Sequence, residues 1–571
     1  MHRSLALAAA AALVACTPAA RTAPTPLSGP FDVVIGNARI VDGTGNAWYY
    51  GDLGIRGDRI ARIAGPGMLA NAAAAQRVDA TGLVVMPGII DIQGQSGGLF
   101  LSGDGRDVGK LTQGVTTEIL GEGTTPAPVD PASLKGEDDE GNALDRTRAA
   151  RYAEPHGFAN WLADMQAHGI SPNVGSFVGA GTIRQYGMRQ RMGAAGGATL
   201  DSMQAAVRRA MQDGAFGMAS ALIYPPNTYA STDELVAEAR AMAPYRGVYI
   251  THMRSEADHL LEAMDEAIRI GREGGVPVEI YHLKAAGQAN WGKEAEVIHK
   301  IDSARTAGLD VQADMYPYTA GATGLTSCLP PSFSAEGKLF DNLKDPAIRT
   351  KIRAEVAHHT SDWEDLCAQA TPAGVLITDL RAPQNQQYIG KRLSEIAAMM
   401  HEDYLDAAMD LILSERRRVE TTYFLMSEDN VRLQLQQPWI KIGTDAAGPA
   451  PDSVHGLVHP RSYGTYPKIL GRYVRDEHVL SLEDAVRKMT SAVATRLMIQ
   501  DRGLLREGFY ADLVLFDPAT IIDRATYEQQ LQLSTGVRDV WVNGVLVVKD
   551  GAHTGAKPGR ALRGPGYTPA P

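Results

Sequence analysis

Residues 216–282 read FGMASALIYPPNTYASTDELVAEARAMAPYRGVYITHMRSEADHLLEAMDEAIRIGREGGVPVEIYH. Three short, largely apolar runs in this stretch, Phe216–Leu222, Val248–His252 and Val276–His282, have the length and composition of buried strands. Two segments with apolar residues at helical spacing lie between them, and Ser231–Glu234 is a capping box that opens the first. Alternating strands and helices predict a parallel sheet joined by crossover helices.

The same alternation continues on both sides of this stretch. It predicts eight strands, which are Val84–Gln93, Val115–Glu122, Asn173–Val178, Phe216–Leu222, Val248–His252, Val276–His282, Leu309–Pro317 and Trp439–Asp445. Eight strand–helix units predict an α/β fold that closes into a TIM (β/α)8 barrel, over residues 86–499. Residues 320–435 are too many for a simple helix and loop, so we expect a lid insertion over the barrel mouth.

Both ends of the chain have a sequence pattern typical of β-hairpins, with short alternating runs separated by Gly and Asn. Asn543-Gly544 is a strong signal for a two-residue hairpin turn. We therefore expect residues 31–85 and 500–555 to pair into one small β-sandwich domain. Residues 556–571, rich in Gly and Pro, are predicted to form a flexible tail.

The first residues have the pattern of an export signal. Residues 1–15, MHRSLALAAAAALVA, carry one Arg followed by an apolar run too short to span a bilayer. The run ends in Leu-Val-Ala-Cys, which resembles the bacterial lipobox, so Cys16 is the expected lipid anchor and residues 16–30 the tether. This predicts a lipoprotein of the bacterial cell envelope, on its periplasmic side or at the cell surface. A plain signal peptide followed by a chance cysteine is the alternative.

Composition excludes several classes of protein. The chain has 571 residues, of which 44% are hydrophobic and 21% charged, as in ordinary globular proteins. Its net charge of −11, without a block of Lys or Arg, argues against a partner nucleic acid. Three cysteines are too few for a disulfide scaffold or for a metal site built from cysteines alone. After residue 15 no stretch is apolar enough to cross a membrane, so the predicted membrane contact is through the lipid only.

Four polar residues end otherwise apolar strands, at the barrel face where reactive groups are found. Glu122, His252 and His282 would form a three-ligand zinc site with an open position. Asp445 would take a proton from the metal-bound water and pass it to a leaving nitrogen. Each residue also has a structural interpretation, in which the histidines make hydrogen bonds and the aspartate caps a helix.

Several longer motifs carry a family resemblance that covers essentially the whole chain after the signal. They are PGIID, GVTTEILGEG, LIYPPNTYAST, THMRSEADHLLEAMDEAIRIG, YHLKAAGQANWGK, DMYPYTAG, GTDAAGPAPD and HPRSYGTYPKILGRYV. Their order closely resembles the N-acyl-D-amino-acid deacylases (D-aminoacylases) of the amidohydrolase superfamily. The resemblance implies a TIM barrel beside a β-sandwich, zinc-dependent amide hydrolysis, and a small N-acylated D-amino acid as substrate.

The resemblance also implies roles for single residues. His252 and His282 match the zinc histidines of the family, and Asp445 matches its catalytic aspartate. Residues that match positions near the substrate, where they would hold a free carboxylate, are Tyr224, Arg254, Lys284 and Tyr316. For Arg254 and Lys284 the alternative is a structural ion pair in the barrel mouth.

Two departures from the family pattern bear on the metal. Strand one usually ends in His-x-His, but this chain has Gln93 and Gln95 there, and neutral amides are weak zinc ligands. The family motif after strand two supplies a cysteine ligand, and Glu122 would replace it with a carboxylate oxygen. We therefore expect one zinc ion per chain, with Gln93 and Gln95 orienting water or the acyl group by hydrogen bonds.

Taken together, these patterns predict a zinc-dependent amidohydrolase that removes the acyl group from N-acyl-D-amino acids by attack of a zinc-bound hydroxide. One alternative keeps the chemistry and changes the substrate, giving a dipeptidase or a hydrolase of another D-configured or cyclic amide. The other is a non-catalytic lipoprotein that binds a ligand with the same fold.

Overall fold

The computed structural model describes residues 29–135, 146–358 and 363–569. The predicted signal peptide and Cys16 lie outside the described residues. Within the described ranges, no helix combines the length and apolarity needed to cross a bilayer.

The strands follow one another along the whole described chain. They are β1 (Phe31–Ile40), β2 (Tyr49–Arg56), β3 (Arg59–Ala64), β4 (Ala74–Asp79), β5 (Val84–Pro87), β6 (Ile89–Asp91), β7 (Val115–Leu120), β8 (Asn173–Ser176), β9 (Val178–Gly179), β10 (Gly217–Ala221), β11 (Val248–His252), β12 (Val278–Ile280), β13 (Val311–Met315), β14 (Ala320–Gly324), β15 (Val375–Asp379), β16 (Glu420–Phe424), β17 (Ile440–Ile442), β18 (Leu513–Phe516), β19 (Val537–Val542), β20 (Val545–Lys549) and β21 (Ala552–His553).

The α-helices lie mainly between the barrel strands and in the insertion. They are α1 (Gly97–Leu101), α2 (Val108–Leu111), α3 (Arg146–Tyr152), α4 (Gly157–His168), α5 (Ala180–Met188), α6 (Gly197–Gln212), α7 (Thr232–Met242), α8 (Leu260–Gly274), α9 (Glu294–Thr306), α10 (Leu339–Lys344), α11 (Pro346–His358), α12 (Leu366–Ala370), α13 (Leu393–Met400), α14 (Tyr404–Glu415), α15 (Glu428–Leu435), α16 (Arg461–Lys468), α17 (Leu482–Met489) and α18 (Ser491–Arg496).

The predicted barrel is confirmed. Strands β6, β7 and β8 form one parallel sheet, and β9 to β13 continue with β17 in a second. The sheets meet at Phe177, between β8 and β9, whose N–H donates to the Leu120 carbonyl over 2.9 Å. The barrel closes where the Asp445 N–H donates to the Gln93 carbonyl over 2.8 Å. Eight strands therefore enclose the barrel core, with β8 and β9 as two pieces of one strand.

The first predicted barrel strand, Val84–Gln93, is two strands instead of one. β5 belongs to a nine-stranded sheet and only β6 belongs to the barrel. The chain breaks at Gly88, whose N–H donates to the Asp512 carbonyl over 2.8 Å. A Cβ atom at Gly88 would lie 2.1 Å from Thr116 Oγ1, so glycine allows the close approach of the two sheets.

Both ends of the chain contribute to that nine-stranded sheet. Its order is β21-β20-β19-β18-β5-β1-β2-β3, with β4 paired to β1. Strand β18 joins the two ends by antiparallel pairing with β5, from Leu513 opposite Pro87 to Phe516 opposite Val84. The apolar faces of these strands pack around buried side chains such as Leu53 and Trp541.

The insertion after β13 has a core of its own. Strands β14, β16 and β15 form an antiparallel sheet, and α10 to α14 pack with it around buried residues such as Leu343, Ile377 and Leu411. A disulfide joins Cys328 to Cys367. The low cysteine count led us to expect no disulfide framework, and it gave no sign of this single bond within the insertion.

The predicted flexible tail is wrong for the part of it that the structure describes. Gly559 and Leu562 donate backbone hydrogen bonds of 2.8 and 2.7 Å to the carbonyls of Ile170 and Val174. The N–H of Gly564 likewise donates to the Gly214 carbonyl over 2.8 Å. The glycines that suggested disorder allow close backbone contact, because a Cβ at Gly559 would lie 2.0 Å from the Pro172 carbonyl oxygen. Residues 559–564 are thus fixed against the segments that lead into β8 and β10.

Candidate metal and catalytic site

The carboxyl ends of four barrel strands bring the predicted site residues together. His252 is the last residue of β11, whereas Glu122, His282 and Asp445 lie in the turns just after β7, β12 and β17. His282 and Asp445 have positive φ angles of 35° and 49°, which residues other than glycine rarely adopt. Backbone hydrogen bonds from His282 to Asp314 Oδ1 and from Asp445 to the Gln93 carbonyl, both 2.8 Å, hold these turns. The turns aim both side chains into the barrel mouth.

Three side-chain atoms that could bind a metal ion face one another in the barrel mouth. His282 Nε2 lies 3.1 Å from Glu122 Oε1 and 3.1 Å from His252 Nδ1, and His252 Nδ1 lies 3.5 Å from Glu122 Oε1. Zinc bound tetrahedrally at about 2.0–2.1 Å keeps its ligand atoms about 3.3 Å apart. The two imidazoles and one carboxylate therefore have both the chemistry and the spacing of a three-ligand zinc site.

A second carboxylate, Glu256, lies against the outer ring nitrogens of both histidines, closest to that of His282. Glu256 Oε1 lies 2.9 Å from His282 Nδ1, and its Oε2 lies 3.5 Å from His252 Nε2. Each contact is to the ring nitrogen opposite the one that faces Glu122, which leaves the inner nitrogen available to a metal. Burial raises the pKa of Glu256, but the charges of His252, Lys284 and His282 outweigh it and hold that pKa well below its usual value. Glu256 therefore stays ionised.

Glu256 was not among the site residues predicted from the sequence. The sequence feature that could have indicated it is its position in the THMRSE segment, four residues after His252. Lys284, expected near the substrate, is the partner of this carboxylate, because its Nζ donates to Glu256 Oε1 over 2.6 Å and lies 2.6 Å from His282 Nδ1. The structure thus favours the ion-pair interpretation of Lys284.

Gln93 and Gln95 both contact the group formed by Glu122, His252 and His282, which we call the metal cluster. Their Nε2 atoms donate to Glu122 Oε2 over 2.7 and 2.8 Å. Gln95 Nε2 also donates to Asp445 Oδ1 over 3.3 Å. The two amides thus occupy one oxygen of Glu122 and leave Oε1 facing the histidines.

Asp445 is held by an arginine that the sequence analysis did not single out. Arg461 Nη1 lies 2.8 Å from Asp445 Oδ2; Arg461 is buried and Asp445 is largely so. Burial raises the pKa of Asp445, Arg461 lowers it and Glu122 raises it further, so that the pKa lies above its usual value. His459 braces this arginine, since its Nδ1 accepts from the Arg461 N–H over 3.0 Å. Arg461 lies in the HPRSYG motif, which was a marker of the resemblance but received no role.

Two of the predicted substrate residues lie beside the histidines. The Tyr224 ring packs edge-on against His252 at 5.3 Å between centroids, and the Tyr316 ring lies 6.3 Å from that of His282. The Arg461 guanidinium lies 4.6 Å from the Tyr316 ring centroid. Burial raises the pKa of both tyrosines, which therefore remain hydrogen-bond donors at neutral pH.

Arg254, the remaining predicted substrate residue, is engaged elsewhere. Its Nε and Nη2 each donate to Glu266 over 2.9 Å, and its other contacts are to the carbonyls of Thr228 and Ala230. A guanidinium with a bidentate carboxylate and two carbonyl acceptors has little capacity left for a substrate carboxylate. Arg254 therefore links the loop that precedes α7 with helix α8, which agrees with the structural alternative.

A cavity of about 840 Å³ opens beside the metal cluster. Glu122 and Gln95 form part of its wall, together with residues of α1, α5 and the loop after β7. This volume falls within the range of about 300–1,000 Å³ that is typical of small-molecule sites.

Comparison with known proteins gives consistent findings. A family model described as "Amidohydrolase family" matches residues 148–548. A D-aminoacylase from Alcaligenes xylosoxydans xylosoxydans is 34% identical over 537 residues, which are 94% of this chain and 98% of that protein.

Two solved structures are similar over the same extent. One is a D-aminoacylase for which one-metal activation and second-metal attenuation of a binuclear centre are described, with a TM-score of 0.77 and 32% identity over 94% of this chain and 100% of that one. The other is an N-acyl-D-glutamate deacylase from Bordetella bronchiseptica with zinc and a phosphonate inhibitor, a mimic of the tetrahedral intermediate. Its TM-score is 0.75, with 30% identity over 94% of this chain and 100% of that one.

Replacing Glu256 by glutamine should weaken zinc binding, because a neutral amide lacks the charge that faces both histidines and the acceptor strength of the carboxylate that contacts His282 Nδ1. We expect the zinc affinity to fall about 10- to 100-fold, measured by competition with a chromophoric chelator. Glu262→Gln, on the exposed face of α8, is the matched control and should bind zinc like the wild type. Equal affinity in Glu256→Gln would show that Glu256 does not orient the ligands.

Proposed function

The chain belongs to the amidohydrolase family, with the D-aminoacylases among its relatives, and from this premise we propose that it removes the acyl group from N-acyl-D-amino acids. It is a zinc-dependent amide hydrolase. One observation carries the proposal, namely the cluster of Glu122, His252 and His282 with Asp445 linked to it through Gln95.

The donor set suits zinc, as its spacing and its mixture of imidazole and carboxylate show. Zinc held by Glu122, His252 and His282 supplies a Lewis acid for the amide carbonyl and lowers the pKa of water. Burial and Lys284 lower the pKa of His282, but Glu256 and Glu122 outweigh them and raise it to about 10. Without a metal, His282 therefore carries a second ring proton, which a bound cation would displace.

Asp445 moves the proton in the hydrolysis. Its carboxylate accepts a proton from the attacking water and then donates it to the nitrogen of the leaving amino acid. A pKa raised by burial suits both steps, because the group must bind the proton and then release it. Arg461 and Gln95 hold one oxygen each, which fixes the direction of the carboxylate during both transfers.

Arg461 is also the best candidate to bind the substrate carboxylate, the role that the family resemblance gave to Arg254. Its guanidinium is buried beside Asp445 and Tyr316, and its Nε has no hydrogen-bond partner among the described residues. A buried donor without a partner costs about 1–3 kcal/mol, which a substrate carboxylate would recover. The leaving amino acid thus lies on the Asp445 side of the metal cluster.

The hydrolysis itself is tested with N-acetyl-D-amino acids and their L-enantiomers. The zinc-loaded wild type should hydrolyse the D-series, and Asp445→Asn should lower kcat/KM by about 10²- to 10⁴-fold because the amide cannot carry the proton. Asp452→Asn is a control at a more exposed aspartate in the same loop and should retain full activity. No turnover of any N-acyl-D-amino acid by the zinc-loaded wild type would refute the proposed function.

We propose further that one zinc ion suffices for each chain. Gln93 and Gln95 stand where the family has two histidines, and both donate to Glu122 Oε2. The carboxylate oxygen that could bridge to a second metal is thereby occupied by two N–H donors. The two amide N–H groups thus stabilise the negative charge of Glu122, which a second cation would otherwise balance.

Dialysis against excess zinc should leave about one zinc per wild-type chain, measured by atomic emission. The double variant Gln93→His/Gln95→His restores two imidazoles on one face of the strand and should bind about two. The single variant Gln95→Glu adds a charge without an imidazole and serves as a comparison. Two tightly bound zinc ions in the wild type would contradict the one-metal proposal.

The cellular location is also a proposal. The apolar run before Cys16 supports a protein held at the bacterial envelope by an N-terminal lipid. Expressed in a bacterium, the wild type should sediment with membranes and be released by detergent, whereas Cys16→Ser should not. Thr17→Ser is the matched control and should behave like the wild type. Membrane sedimentation that survives loss of Cys16 would exclude the lipid anchor.

A further inference from the structure

We propose that Glu364, which the insertion supplies, is a positioning residue for the metal cluster and acts on it through Glu256. The inference rests on the zinc site of the proposed function but not on its substrate. It gives the insertion a role in metal binding.

The backbone of Glu256 is held from two sides. Its N–H donates to Glu364 Oε2 over 2.7 Å, and its carbonyl accepts from the Ala286 N–H, also over 2.7 Å. Ala286 belongs to the loop after β12, four residues beyond His282. Glu364 is 108 residues further along the chain than Glu256. The turn that carries Glu256 is therefore fixed partly by a neighbouring barrel loop and partly by the insertion.

The position of this turn decides where the Glu256 carboxylate lies. Glu256 Oε1 lies 2.9 Å from His282 Nδ1 and accepts from Lys284 Nζ over 2.6 Å. A displacement of about 0.7 Å away from His282 would end the first of these contacts as a hydrogen bond. Partners behind the ligands set the direction of an imidazole toward a metal, so a shift of Glu256 reaches the metal cluster through His282.

Glu364 lies on a segment that is attached to the rest of the insertion. It comes just before α12, where Asp365 Oδ1 accepts from the N–H groups of Cys367 and Ala368 over 2.9 and 3.0 Å. The disulfide from Cys367 to Cys328 joins α12 to the turn that follows β14. The acceptor oxygen is thus carried by a capped and cross-linked helix start.

This segment also packs directly on the barrel loops. Ala257, the residue after Glu256, belongs to the same buried core as Leu366 of α12. A Cβ atom at Gly287 would lie 1.9 Å from Gln369 Oε1, so α12 and the loop after β12 are in close contact. The insertion therefore meets the barrel loops in a packed interface, which restricts the movement of the carboxylate that it supplies.

The proposal is tested by the zinc affinity, measured without substrate by competition with a chromophoric chelator. Glu364→Ala removes the acceptor of the Glu256 N–H. Its zinc affinity should fall at least about threefold, but less than that of Glu256→Gln, because Glu364 acts one residue further from the metal. Glu364→Gln keeps a carbonyl oxygen for this N–H and should bind zinc like the wild type. Its amide group replaces Oε1, which is buried and has no hydrogen-bond partner among the described residues.

Glu415→Ala is the matched control for a general loosening of the insertion. Glu415 is also a buried carboxylate that accepts from backbone N–H groups, those of Arg381 and Ala382, over 2.8 and 3.1 Å. These partners lie within the insertion and not in the barrel loops that carry the metal cluster. The variant should bind zinc like the wild type.

Replacement of zinc by Co²⁺ gives a second readout, because the visible absorption of Co²⁺ depends on the geometry of its ligands. Glu364→Ala should change the absorption bands, whereas Glu364→Gln and Glu415→Ala should keep those of the wild type. Circular dichroism checks that each variant folds. If Glu364→Ala does not fold, Glu364→Met takes its place, since methionine fills a similar space without a strong acceptor.

The outcomes separate this inference from the proposed function. Unchanged zinc affinity or an unchanged Co²⁺ spectrum in Glu364→Ala would overturn the inference. An equal loss of affinity in Glu364→Gln or in Glu415→Ala would overturn it as well, because the effect would then not come from the bond to Glu256. Since no substrate enters these measurements, a zinc-loaded wild type without deacylase activity would refute the proposed function and leave the inference standing.

Discussion

The carboxylate of Asp91 holds the seam at which the barrel closes, and the catalytic geometry depends on it. Its Oδ1 accepts from the N–H groups of Thr444 and Gln93 over 3.0 and 3.2 Å, and its Oδ2 accepts from Thr444 Oγ1 over 2.6 Å. The buried Lys110 ammonium neutralises this carboxylate. Because β6 and β17 meet here, the same few bonds set the positions of Gln93 and of Asp445. An unpaired charge at this depth would cost several kcal/mol, so the lysine and the aspartate depend on each other.

Each carboxylate of the site has a different partner and hence a different role. Glu122 faces two imidazoles and two amides, which suits a metal ligand. Glu256 is ion-paired with Lys284 and lies against the outer nitrogens of the histidines. Asp445 lies largely buried beside Arg461. Of the three carboxylates it is the one whose pKa is raised. Their environments thus separate one carboxylate with a raised pKa, as proton transfer requires, from two whose pKa values are lowered and which stay ionised.

The residues that depart from the pattern implied by the family resemblance are physically consistent with one another. A carboxylate offers two oxygens, so Glu122 can present Oε1 to the histidines while Oε2 accepts from Gln93 and Gln95. A single thiolate sulfur offers one ligand atom and is a weak hydrogen-bond acceptor. Amides in place of the histidines therefore go together with a carboxylate in place of the cysteine. The three replacements form one hydrogen-bonded unit at the ends of β6 and β7.

The sequence by itself determined the barrel, the pairing of the two ends in one sheet, and the strand-end positions of Glu122, His252, His282 and Asp445. These features depend on short-range patterns, since periodicity and capping reveal strands and parallel strands end at a common face. Tertiary structure alone decided that Glu256 contacts His282, that Arg461 pairs with Asp445 and Arg254 with Glu266, and that Cys328 bonds to Cys367. It also decided that glycines near the C-terminus pack against the barrel. The physical reason is that the partner of a buried charge or a close backbone contact comes from a distant segment, and only packing brings the two together.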